Sequence, residues 1–306
     1  MRLVCDNAIK LFPGTAPGSE GFTLEEEFFY EKTEEGKVKH IVQNVLEPEL
    51  IPFFPEHSAE NENGMPAVMI IPGGAFRRLV YNFEGEDIAR WLNTLGFAAF
   101  VLKCRLPVNE HPSAEDVSLI DVQRGLRLIR YNAPEWGIDS KKIGVMGFSA
   151  GGFLSALLAT AYDKNVYQRI DAADDVTARP DFCVCGYPMI NYDVSVEAGQ
   201  RYISKEEMLA GIYPFQELVL KKSKPDELVT PQTPPVFIFE TDDDMTTLAD
   251  NSVCFYMAAR KARVSAELHI FRTGGHGFGL GDDNTQTGEW KKLFVNWARG
   301  LGVLGN

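Results

Sequence analysis

The 306-residue chain carries 30 Lys and Arg against 43 Asp and Glu, for a net charge of −13 and a pI near 4.9. Such a surface repels phosphate backbones and anionic membranes on average, so neither nucleic acid nor a membrane is an expected partner. With 45% apolar residues there is ample material for a large core, and disorder is excluded for most of the chain.

Residues 1–65 read as a leader, with Pro13, Pro17, Pro48, Pro52 and Pro55 breaking any rhythm. Its Glu25–Glu27 run reads as a solvated face, and His40–Val45 as a strand added antiparallel at a sheet edge. From residue 66 onward, apolar runs alternate with helix-length amphipathic segments. Val68–Ile71, Phe97–Leu102, Lys142–Met146, Phe182–Cys185, Val236–Phe239 and Leu268–Phe271 are predicted strands. Gly85–Leu95, Val117–Tyr131, Ala150–Ala161, Leu248–Ala262 and Glu289–Arg299 are predicted helices. This alternation implies right-handed crossovers and a mostly parallel sheet covered on both faces, an α/β fold in one domain over residues 1–306. The long connection 191–235 is a candidate cap or lid. The first residues hold no signal-like run and no stretch approaches about 18 apolar residues, so a cytoplasmic protein is expected. Cys5, Cys104, Cys183, Cys185 and Cys254 form no CxxC pair, and neither a disulfide framework nor a structural metal is expected.

The sharpest chemical signal is Gly147-Phe148-Ser149-Ala150-Gly151, a G-x-S-x-G placed directly after one predicted strand and directly before a helix. That context forces the serine onto a strained turn at a helix N-terminus, with its hydroxyl projecting from the sheet. A serine needs a base. Of His40, His57, His111, His269 and His276, the last stands among glycines (Gly274, Gly275, Gly277, Gly279) just past a strand, whereas His269 lies inside one. The orienting acid should end another strand between the two, and Asp242-Asp243-Asp244 follows Val236–Phe239; spacing leaves the choice among the three open. The triplet lacks the alternating ligands and glycine of a calcium loop. Gly73-Gly74 after the first predicted strand is a turn where backbone can approach a substrate, so the N–H groups of Gly74 and Ala150 are the candidate oxyanion donors.

With these parts placed, the chain resembles the α/β-hydrolase superfamily, and within it the acetylxylan esterases and other carbohydrate acetylesterases. The matching stretches include Ile71-Pro72-Gly73-Gly74-Ala75-Phe76, Ala133-Pro134-Glu135-Trp136-Gly137-Ile138-Asp139, Gly147–Gly152 and Gly274–Gly279, and the likeness runs over residues 66–300. Ala75 stands where that group usually has a third glycine, and Asp244-Met245-Thr246-Thr247-Leu248 replaces its usual Asp-x-x-Val-Pro. Aligning Asn251-Ser252 puts Asp244 at the acid, with Asp243 the substitute. The resemblance implies a cofactor-free serine esterase removing short acyl groups from a carbohydrate or other small ester. A general carboxylesterase or peptidase, and a catalytically silent binding protein, are the alternatives. Segment 191–235 mixes Arg201, Lys205, Glu206 and Glu207 with Tyr192, Tyr202 and Tyr213, which suits a sugar better than a lipid chain.

Overall fold

The computed structural model describes residues 7–33, 36–56, 64–107, 116–201, 219 and 221–305. Its strands are β1 (Ile9–Lys10), β2 (Glu27–Lys32), β3 (Val38–Gln43), β4 (Glu49–Phe53), β5 (Met65–Ile71), β6 (Leu79–Val80), β7 (Ala98–Lys103), β8 (Ile138–Phe148), β9 (Cys183–Gly186), β10 (Val236–Thr241) and β11 (Ala266–Phe271). Helices are α1 (Asp87–Thr94), α2 (Val117–Asn132), α3 (Ala150–Ala161), α4 (Tyr192–Gly199), α5 (Ala249–Lys261) and α6 (Trp290–Gly300).

One eight-stranded sheet runs β1-β4-β7-β5-β8-β9-β10-β11, with β7 through β11 parallel and β4 antiparallel to β7. The middle strands are buried along nearly their whole length, as a parallel sheet covered on both faces must be. Helices α1 and α6 cover one face and meet through Trp91, Trp290 and Phe294, while α2, α3 and α5 cover the other. The chain leaves β5 toward β7 and then returns to the far side of β5 as β8. That reversal opens a crevice between the carboxyl ends of β5 and β8, where α/β sheets take their ligands. The α/β-hydrolase architecture expected from the sequence is met.

The leader departs from expectation in two places. The strand near His40 forms as β3 and is antiparallel, but it belongs to a second, three-stranded sheet, β2-β3-β6, and not to the edge of the main one. The edge is taken by the two-residue β1 on β4, which carries Pro52; since β1 pairs only with Glu49 and Leu50, β4 is itself unpaired on that side at Pro52 and the missing N–H costs no ladder bond. Nor is the Glu25–Glu27 run wholly solvated. Glu26 has a side chain only 5% exposed and accepts from Lys103 Nζ at 2.9 Å, with Glu49 at 2.7 Å from the same nitrogen. A lysine buried at the end of β7 requires counter-charges, and the leader supplies them. Among the described residues no helix is long and apolar enough to cross a membrane.

Arg105 and Asp121 pin the leader to α2. Both are fully buried; Asp121 accepts from Arg105 N–H at 2.7 Å and from Arg105 Nη2 at 2.6 Å, while Arg105 Nη1 donates to the Pro17 carbonyl at 2.7 Å and to Ser19 Oγ at 2.8 Å. Replacing one partner strands the other charge. Asp121→Ala is therefore expected to destabilise the fold by about 3–5 kcal/mol, read as a drop in the urea midpoint; a loss under about 1 kcal/mol, typical of a solvated pair, would contradict this account.

Candidate active site

The nucleophile turn follows from two close approaches. A Cβ on Gly147 would lie 2.0 Å from the Gly151 carbonyl oxygen, and one on Gly151 would lie 2.0 Å from that of Ile71. Only glycine at both positions lets β8 pass directly into α3 against the end of β5. Ser149 between them takes φ 53° and ψ −119°, a region costing a non-glycine residue about 1–3 kcal/mol. Its N–H donates to the Gly186 carbonyl at 2.9 Å and its carbonyl accepts from Phe153 N–H at 3.1 Å, which holds the strained turn in place.

The register of β5 on β8 pairs Ile71 with Gly147, so the turn after β5 lies beside Ser149. There Gly73 N–H donates to Glu84 and its carbonyl accepts from Val80 N–H, both at 2.9 Å. Gly74 has φ 141°, and a Cβ on it would meet the Arg78 carbonyl oxygen at 2.0 Å. Among the described residues Gly74 N–H makes no hydrogen bond. Ala150 opens α3, where first-turn amides have no partner within the helix. Ala75, where a glycine was expected, adopts φ 58° despite its methyl group.

His276 reaches across from the loop after β11. Its Nε2 lies 2.9 Å from Ser149 Oγ and its Nδ1 lies 2.6 Å from Asp244 Oδ2. Asp244 is buried and also accepts from Thr246 N–H at 2.7 Å, Thr247 N–H at 3.1 Å and the Thr247 hydroxyl at 3.0 Å. Burial alone would raise its pKa, but the His276 contact and these amides outweigh burial and hold the carboxyl below its usual range. Behind it Glu240, fully buried, is pushed well above the usual value by burial and by the Asp244 charge, so of the two neighbouring acids Asp244 is the ionised one.

The aspartate triplet thus divides its roles. Asp243 is exposed and accepts from Gly274 N–H at 2.9 Å and Gly275 N–H at 2.8 Å, bracing the loop that carries His276, and those amides lower its pKa. Asp242 is exposed and donates only its backbone N–H, to the Phe271 carbonyl at 2.7 Å. Thr241 and Trp290 complete the bracing, through Gly275 and Gly279 carbonyls at 2.9 and 3.0 Å.

Of the other histidines, His269 sits in β11 against Glu267 at 2.7 Å and His40 packs on Phe28 and Tyr30 in the small sheet; His57 and His111 lie outside the described residues. So do residues 202–218 and 220 of the expected cap; its described part begins with α4, capped by the Asn191 side chain. Sequence reasoning missed Thr247 and Tyr187. Thr247 had a signal, since it stands in the place of the valine in the expected Asp-x-x-Val-Pro. Tyr187, whose ring meets His276 edge-on at 5.0 Å, had none, because an aromatic ending a strand looks like core.

The arrangement provides a hydroxyl with a proton acceptor at hydrogen-bond distance, an ionised acid that fixes the imidazole tautomer, and two backbone amides beside them. The acetylxylan esterase of Xylanibacter ruminicola is 31% identical over 257 residues, covering 83% of this chain and 48% of that protein. Endo-1,4-beta-xylanase B of Butyrivibrio fibrisolvens is 30% identical over 235 residues, covering 76% of this chain and 34% of that protein. The chain thus spans about half or less of the length of these curated relatives. The crystal structure of an acetyl ester-xyloside bifunctional hydrolase from Caldicellulosiruptor lactoaceticus superposes with a TM-score of 0.72 at 31% identity, covering 98% of this chain and 97% of that one. Residues 54–258, well over half of the sequence, match the BD-FAE family, and with a 31% identical structure aligned along its whole length the chain belongs to that family.

Proposed function

We propose that the protein is a serine esterase that removes short acyl groups, acetyl above all, from carbohydrate substrates. The observation carrying this reading is the continuous hydrogen-bonded chain Ser149–His276–Asp244, at 2.9 and 2.6 Å. Ser149 Oγ attacks the acyl carbon as its proton passes to His276 Nε2, while Asp244 accepts the Nδ1–H. The oxyanion is received by the N–H groups of Gly74 and Ala150. His276 then gives its proton to the leaving alcohol, the acyl group staying on Ser149. Water, deprotonated by the same imidazole, attacks the acyl-enzyme, and the acid leaves as Ser149 regains its proton. No step calls for a cofactor or metal.

The carbohydrate half of the proposal draws on the relatives named above and on one feature of the surface. A cleft of about 870 Å³ starts at His276 and runs between its loop and β3, lined by Lys39, Phe83, Asp87, Gln286 and Thr287. The cleft touches His276, the residue that protonates the departing alcohol in this mechanism, which makes it the candidate path for the alcohol part of the substrate. Its polar groups and aromatic ring suit a hydroxyl-rich chain.

The test is a panel of esters varied in acyl length and alcohol. Acetylated xylo-oligosaccharides and p-nitrophenyl acetate are expected to be hydrolysed with higher kcat/KM than p-nitrophenyl octanoate. A matching apolar slot would reverse that order, since each buried methylene is worth about 0.8 kcal/mol. Octanoate turned over faster than acetate, with the acetylated oligosaccharides untouched, would replace the proposal with a lipase-like carboxylesterase.

A further inference from the structure

Beneath the site lies a carboxylate that no step above uses. Glu84, on a single π-type turn (Asn82–Glu86) between β6 and α1, is 4% exposed. Both of its oxygens accept: Oε2 takes Gly73 N–H at 2.9 Å and Oε1 takes the Tyr187 hydroxyl at 2.8 Å. The Tyr187 oxygen in turn accepts Gly279 N–H at 3.0 Å, and its ring stands edge-on to the His276 imidazole. One acid therefore ties together the turn after β5, the end of β9 and the loop of His276. Among the described residues no cation pairs with Glu84 directly, and the charges that reach it are those of His276 and Lys39.

We propose that Glu84 is a positioning residue for the Ser149–His276 pair, a buried anion that fixes the oxyanion turn through Gly73 and, through Tyr187, favours the imidazolium form of His276. This rests on the serine-hydrolase reading above. The hydrogen-bond directions select the ionised acid. Gly73 offers only a donor, and the Tyr187 hydroxyl, its oxygen already engaged by Gly279, turns its hydrogen toward Glu84. Burial pushes the Glu84 pKa above its usual range, and the His276 charge, the tyrosine and the Gly73 amide offset only part of that rise; it is the two donated hydrogen bonds that favour the anion. The charged and titratable groups around His276 are Asp244 at the end of β10 with Glu240, its pKa raised, behind it, Asp243 on the Gly274 and Gly275 amides, Tyr187 at the end of β9, Glu84 beneath, and Lys39, Lys37, Asp87 and Asp282 along the cleft beside its loop. Of these, Asp243 is exposed to solvent, whereas Asp244 and Glu84 are the buried carboxylates held by donated hydrogen bonds.

Glu84→Gln keeps the shape and removes the charge, and it sets an amide donor against one of two fixed donors. Losing the negative charge disfavours the imidazolium, so the acid limb of the pH profile, along which His276 becomes the free base, moves to lower pH. The readout is the rate of labelling by a fluorophosphonate probe against pH, which reports on the Ser149–His276 pair whatever the natural ester. For E84Q the limb is expected about one pH unit lower, with the plateau rate reduced about 10- to 100-fold. Tyr187→Phe keeps the ring and the Glu84–Gly73 contact, and it is expected to move the limb the same way by less. If E84Q does not fold, the shift in Y187F decides. A limb unmoved in every folded variant, even at a reduced rate, overturns the proposal and leaves Glu84 a structural residue. A wild-type protein unlabelled at every pH is the failure of the serine-hydrolase reading instead.

Discussion

Ser149→Ala is expected to lower kcat for ester hydrolysis by about 10⁶-fold and to leave the fold unchanged. The size of the effect follows from the covalent route: without Oγ no acyl-enzyme forms, and His276 has no proton to take. Stability should hold because alanine is no more strained than serine at φ 53°, and because both backbone bonds that hold the turn, to Gly186 and from Phe153, survive the change. Intact mass after a slowly deacylating ester or a fluorophosphonate should show one adduct on the wild type and none on S149A, with the unfolding midpoints alike. An adduct retained by S149A, or mapped to a residue other than Ser149, would remove this serine from the role. A residual rate well above the water reaction is expected even so, since the Gly74 and Ala150 amides persist.

Ser149 was legible in the sequence because its turn is dictated at short range. Gly147 and Gly151 are obligatory at two close approaches, and the strand and helix that they join are adjacent in the chain. The same holds for the parallel strands β5, β7, β8 and β10, whose apolar runs are long enough to stand out. What could not be read was set at long range. The strand β4, next to the sheet edge, hides behind Pro52, harmless only because β1 is too short to reach it. The pairing of Glu26 with Lys103 joins residues whose meeting depends on how the leader wraps the sheet edge. Glu84, Tyr187 and Gly279 are each unremarkable locally, and only the fold makes them one network. Spacing left Asp242, Asp243 and Asp244 equivalent, since all three end the same strand; the direction in which each side chain leaves the turn is fixed by contacts with Thr247 and with the His276 loop.

Those contacts give the triplet graded and separable effects. Asp244→Asn is expected to cost about 10⁴-fold in kcat, because an amide beside Nδ1 no longer enforces the tautomer that leaves Nε2 free to take the Ser149 proton. Asp243→Asn should cost about tenfold or less: its carboxylate meets the Gly274 and Gly275 amides and the Thr241 side chain, not the imidazole, and an asparagine oxygen can still accept from one of the amides. Asp242→Asn should change little, as that side chain is exposed and its structural bond is made by its backbone. Stability against pH adds a second readout. Asp244 has a folded pKa below its unfolded value of about 3.9, so its stabilisation is complete above that value and is lost as pH falls toward the lower folded one. D244N should therefore lack that part of the acid decline shown by the wild type. Asp243 also titrates low, so D243N should lose part of the same decline while its kcat falls by no more than about tenfold. That combination, full activity loss with one aspartate and a mainly structural acid response with its neighbour, distinguishes the acid that touches the imidazole from the one that braces its loop. Should D243N prove the more damaging to kcat, the imidazole would be oriented by Asp243 in the working enzyme, and the 2.6 Å contact with Asp244 would not be the productive one.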